Sequence, residues 1–108
     1  MSREIFESDW KLFRELHPIA LERFCERLLS DVTELATTTG KTAHERYLAL
    51  FKLLEDRNEE LAGAFDDFRR STACRQLAII RSRGLLTDEE FARFSPETRA
   101  MVQIWLES

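Results

Sequence analysis

The chain has 108 residues, 44% of them hydrophobic and 33% charged, and a net charge of −4. That length suits one domain around one core, and the apolar fraction excludes a chain too polar to fold. Three Gly and two Pro are too few for the turns of an all-β fold, and no apolar run reaches spanning length, so no membrane association is expected.

The start, "MSREIFESDW", lacks the basic and apolar regions of a signal peptide, and the cytoplasm is the expected compartment. Ser8 stands where an N-cap would, followed by Trp10, Phe13 and Leu16 at helical spacing. Pro18 predicts a break there and the first turn of a second helix. That helix carries Leu21, Phe24, Cys25, Leu28, Val32 and Leu35 on one face and fades into Thr37-Thr38-Thr39-Gly40.

Thr42 and Glu45 form a capping-box pattern, and the helical pattern then continues to Gly84. An unbroken helix of that length would reach about 60 Å, against a radius of gyration near 13 Å for a compact domain of this size. A kink or break is therefore expected between 56 and 63, where Asp56 to Glu59 repeats the capping pattern and Gly63 weakens the helix. Ser71 or Thr72 could also cap a short final helix. Gly84 reads as a glycine C-cap with Leu85 behind it. Thr87 to Glu90 is a third capping box, leading to Phe91 and Phe94. Ser95-Pro96-Glu97 opens a last helix with Met101, Val102 and Trp105. The expected fold is all-α: an irregular bundle of five or six helices in one domain spanning residues 1–108.

Tyr47, Phe51, Leu54, Asn58, Leu61, Phe65, Phe68 and Thr72 step alternately by four and three. This is a heptad-like stripe with a polar residue in one slot. Asn58 reads either as the mark of the break or as a register-fixing residue in a helix–helix seam, with the break preferred.

No catalytic or metal motif is present. Neither His17 nor His44 follows a Glu at metal-binding spacing, and Cys25 and Cys74 fit no Cys-pair motif and read as buried apolar residues. No cofactor is expected. The least ordinary charge pattern is 69–83, which carries +5 against −4 for the whole chain, so the remainder carries −9. On a helical wheel of 3.6 residues per turn, Arg70 and Arg81 share one polar edge and Arg75 lies on the other. Arg69 and Arg83 fall on the apolar side. A buried Arg69 would need a carboxylate, and Asp66, three residues earlier, is the nearest by spacing; Glu22 or Glu26 of the earlier helix are the alternatives.

These residues read as a small protein-interaction module whose partner is a protein, itself or another, with a homodimer expected from the ten Phe and Trp side chains and the in-phase stripe. The alternatives are a nucleic-acid-binding or regulatory helical domain using Arg70, Arg75 and Arg81, and an enzyme whose site forms no recognisable motif. Nucleic acid is not expected as a partner, because cations that track phosphates gather on one solvent face. The protein should therefore show no tight binding to mixed-sequence DNA or RNA at physiological salt. Retention on either that weakens steeply with added salt would contradict this.

Overall fold

The computed structural model describes residues 4–107. Five α-helices follow one another: α1 (Glu7–Ala36), α2 (Ala43–Phe65), α3 (Ala73–Ser82), α4 (Asp88–Ala92) and α5 (Pro96–Glu107), with a 3-10 turn, Arg70–Thr72, leading into α3. No strand occurs among the described residues. The all-α expectation holds, but two of the expected breaks do not.

Pro18 lies inside α1, which runs on for 30 residues. A proline within a helix removes one backbone hydrogen bond and costs about 3 kcal/mol. The buried row Leu12, Phe13, Leu16, Ala20 and Phe24 passes it at unbroken helical spacing, while Pro18 itself faces solvent. Burial of that row outweighs the local penalty. Ser8 is not the cap either. The cap position is Phe6, without a side-chain bond, and Trp10 N–H donates to its carbonyl at 2.9 Å.

The expected break between 56 and 63 is also displaced. Asn58 is exposed in mid-helix, and a Cβ at Gly63 would meet no neighbouring atom within 4 Å, so nothing at either position interrupts the helix. α2 instead ends at Phe65, after which Asp67 takes a left-handed φ of 56°. The cause is tertiary. Phe68 leaves the helix to stack on His17, with ring centroids 3.8 Å apart, and lies 4.9 Å from Trp10 and 5.4 Å from Phe13. Gln76, fully buried, holds the turn by donating its amide to the carbonyls of Asp66 and Asp67. The Thr72 hydroxyl donates to Asp67 O at 2.7 Å rather than capping α3.

The other signals form as expected. Both capping boxes, Thr42/Glu45 and Thr87/Glu90, are closed in both directions. Gly84 is left-handed at φ 68°. Its N–H donates to Arg81 O and that of Leu85 to Ile80 O, the paired bonds of a glycine-terminated helix.

The core gathers at one end of the molecule, where α1 packs on α2 and α3, and α3 on α5. Phe13, Phe94, Ile5, Leu77, Ile80 and Leu85 are its largest sealed side chains. Two polar clamps close it. The buried Asp9 carboxylate accepts from Ser95 N–H at 2.9 Å and from the Ser95 and Thr98 hydroxyls at 2.6 Å each, fixing the start of α5 to α1. Burial works to raise the Asp9 pKa, but these hydrogen bonds outweigh it and hold the group below its ordinary value. Arg23 of α1 grips Glu90 of α4 with two bonds, at 2.6 and 3.0 Å. The other end is the bare α1–α2 hairpin, and the radius of gyration of 16.7 Å and long axis of 53 Å record that extension.

Hydrogen bonds from Arg23, opposed by burial and helped by the Thr87 N–H, draw Glu90 from 4.5 down to about 2. A depressed carboxylate pKa stabilises the fold fully above the unfolded value and progressively less as pH falls through the folded one. Glu90→Gln should therefore be clearly less stable than the parent at pH 7. The difference should shrink as pH falls from 4.5 towards 2, read by urea unfolding across that range. A difference that does not change with pH would show that the ionised pair contributes nothing.

Candidate interaction surface

The first half of α2, "AHERYLALFKLLED", has apolar side chains at 47, 48, 50, 51, 53 and 54, more than one helix face can hold. Ala49, Leu50 and Leu53 are half-buried, along the side packed on α1. The remainder point away from it: Tyr47 is 60% exposed, Leu48 51%, Phe51 55% and Leu54 38%. On α1, Leu29 is 64% exposed and shares a face, by helical spacing, with Val32 and Ala36. Ala36, Tyr47 and Leu50 together line a shallow, mostly apolar depression of about 230 Å³ near the hairpin tip. α3, α4 and α5 pack at the opposite end, so among the described residues no third helix covers this face.

The hairpin is nevertheless firmly built. Arg46 donates to the Ala36 carbonyl at 2.6 Å, satisfying the end of α1. Thr37 and Thr38 hydroxyls return to carbonyls of the last α1 turn, and the Thr42/Glu45 box fixes the start of α2. The exposed apolar residues thus stand on two regular helices and not on a loop.

The arginines of 69–83 are scattered. Arg69 was expected towards the core and paired to Asp66. It is instead 64% exposed and pairs with Asp67, at 2.7 and 2.8 Å. The left-handed turn at Asp67 removes the helical spacing on which the Asp66 pairing depended. Arg70 was expected in solvent, but it ties the N-terminal segment down. It donates to Ile5 O at 2.8 Å and pairs with Glu7 at 3.0 Å. Arg81 bonds Asp88 at 2.6 Å and lies over the Phe91 ring at 4.8 Å. Arg75 is exposed and makes no ion pair among the described residues. The three residues put forward for ligand contact, Arg70, Arg75 and Arg81, therefore do not form one surface: Arg70 holds the N-terminal segment and Arg81 the start of α4.

A second cleft, of about 250 Å³, opens at the root of the hairpin and is lined by Arg27, Asp31, Arg57, Glu60 and Arg83. Arg27 is committed to the carbonyls of Arg83 and Gly84, at 2.7 Å each, at the end of α3. Glu60 lies between Arg57 at 3.5 Å and Arg83 at 3.2 Å, where an incoming anion would have to bind. This is an internal charge network joining three elements.

Chemistry finds little purchase elsewhere. Burial drives His17 towards its neutral form, against a hydrogen bond with the Phe65 backbone, and raises the Cys74 thiol, against a contact with Trp105. Among the described residues, no group of three or more His, Cys, Asp or Glu is arranged to hold a metal ion, and no helix is long and apolar enough to cross a membrane. Compared with protein-family models, curated proteins and solved structures, the chain matches none.

The heptad stripe identified Tyr47, Phe51 and Leu54 but missed Leu48 and Leu29. The crowding of apolar residues over 47–54 is the signal that points to Leu48. Leu29 has no such signal, because its exposure depends on where α3 to α5 pack.

The arginine geometry reverses the ranking that the wheel suggests. Arg70→Ala releases the Ile5 carbonyl and two nearby carboxylates and should cost about 1 kcal/mol, discounted for its partial exposure. Arg69→Ala should leave stability close to that of the parent. Urea unfolding of the two variants beside the parent tests this, and a larger loss for Arg69→Ala would contradict the break at 66–69.

Proposed function

We propose that this chain is a helical protein-interaction module that self-associates through the outer face of its α1–α2 hairpin. The observation that carries this reading is the row Tyr47, Leu48, Phe51 and Leu54, four large side chains exposed side by side on one capped helix. Contiguous apolar surface of that kind, rimmed by charge, marks contact sites. The aromatic members are residue types enriched at binding hot spots and interface cores. Catalysis has no comparable support, since no catalytic motif is present and the buried or shifted carboxylates Asp9 and Glu90 are taken up by hydrogen bonds within the fold. The reading takes the cytoplasm as the compartment, supported by two cysteines that remain free thiols.

The hairpin face is small. Two helices of about 10 Å diameter over roughly 25 Å of length give a footprint near 500 Å² per copy, below the roughly 800 Å² of a standard interface. The expected dimer is therefore micromolar. Sedimentation velocity from about 1 to about 100 μM should show the parent shifting from monomer to dimer. Phe51→Asp should remain monomeric with unchanged helical circular dichroism. A parent that stays monomeric throughout, or a Phe51→Asp variant that dimerises as well as the parent, would overturn the reading.

A further inference from the structure

We infer that the two copies pair antiparallel, α2 against α2, about a two-fold axis passing between Phe51 and Leu54, so that the two hairpins build a four-helix bundle with the α3–α5 ends pointing in opposite directions. This rests on the self-association proposed above and adds the identity and direction of the partner surface.

The first argument is charge. Along the exposed side of α2, Lys52 stands near the middle and the half nearer the base carries Glu55 and Glu59. Nearer the tip, Lys41 precedes the helix and Glu45 is engaged in the Thr42 capping box. In a parallel pair only the seam residues meet their own copies, and Lys52 of one copy lies on the opposite side of the seam from Glu55 of the other. Antiparallel pairing brings Lys52 of one copy beside Glu55 of the other, twice by symmetry. Within one copy Lys52 makes an exposed contact to Asp56 at 3.2 Å and lies in the field of its own Glu55 and Glu59, an acidic setting that an exposed ammonium can share with a carboxylate of the other copy. Opposed helix dipoles favour the same direction.

The second argument is shape along the stripe. With the axis between Phe51 and Leu54, Phe51 meets Leu54 of the other copy, and Tyr47 meets Asn58. Asn58 is then the polar residue in an otherwise apolar seam, and its amide lies opposite a phenol that can both donate and accept. The monomer gives Asn58 no role, since it is exposed in mid-helix. A polar residue at one seam position fixes register.

The third argument is bulk. The helices α3 to α5 thicken one end of the molecule and leave the other a two-helix hairpin. Side-by-side parallel copies would set the two thick ends against each other and hold the hairpins apart. Reversal lays each thin end beside the partner's thick end.

Two measurements test direction separately from association. In the first, Lys52→Glu and Glu55→Lys are compared singly and together by sedimentation velocity. Each single reversal should weaken the dimer by at least about fivefold at low salt, a loss consistent with two symmetry-related charge contacts. The double reversal in one chain should restore the dimer to within about twofold. In a parallel pair neither change creates or removes an opposite-charge contact, and both singles would behave like the parent. In the second, Tyr47→Cys and Asn58→Cys are each made in a Cys25→Ser background and oxidised alone and mixed. A disulfide should form between the two variants in the mixture and not within either alone. Cross-linking of Tyr47→Cys to itself, or of Asn58→Cys to itself, would overturn the antiparallel arrangement while leaving self-association standing. A parent that never dimerises would remove both.

Discussion

The stack of Phe68 on His17 decides the course of the second half of the chain. Trp10, Phe13 and His17 present one row of rings on α1, and Phe65 and Phe68 close on it from the end of α2 and the turn beyond. Each such pair contributes roughly 0.5–1.5 kcal/mol beyond the area it buries. Together they reward a chain that leaves the helix after Phe65 and oppose one that continues it. Asp67 accepts a left-handed backbone as the local cost, and Gln76, Thr72 and Arg69 supply hydrogen bonds that satisfy the turn.

Once the chain turns there, α3 is directed onto α1 and α5, and the core forms around it. Leu77 and Ile80 are sealed completely. The remaining elements are short and depend on side-chain clamps. α4 has five residues, too few to be stable alone, and is held by Arg23 on Glu90 and by Arg81 on Asp88. α5 is held at its start by Asp9, a buried carboxylate whose hydrogen bonds offset the cost of burial. The basic segment 69–83 thus has most of its charge committed within the molecule, with Arg75 the exception.

The same turn creates the exposed hairpin. Had α2 broken near Asn58, the following helices could have folded back over Tyr47, Phe51 and Leu54. A break at 66–69 leaves them behind at the base, so the upper half of α2 has α1 on one side and solvent on the other. The apolar residues that the chain places there are covered by no other described element, and this connects the position of one turn to the proposed activity.

Much of this was legible in the sequence. The all-α class follows from helical spacing with few glycines and prolines. The capping boxes at Thr42 and Thr87, the glycine cap at Gly84 and the start at Ser95-Pro96 were readable because each is a short-range bond between residues at fixed offsets. The sequence misled at Pro18, at 56–63 and at Arg69, where local rules pointed one way and distant packing the other. A proline's cost is local, but the burial of Leu16, Ala20 and Phe24 that overrides it comes from α2 to α5. Asp66 and Arg69 have helical pairing distance only if the helix continues between them. The pull of His17 on Phe68 acts across 51 residues of chain, and no window of neighbouring residues contains it. The sequence by itself therefore determined that the chain is helical and where helices begin at Thr42, Thr87 and Ser95 and end at Gly84. Only the tertiary structure decided where the long helical run turns, and so which apolar face remains outside, because that choice depends on which distant rings can stack.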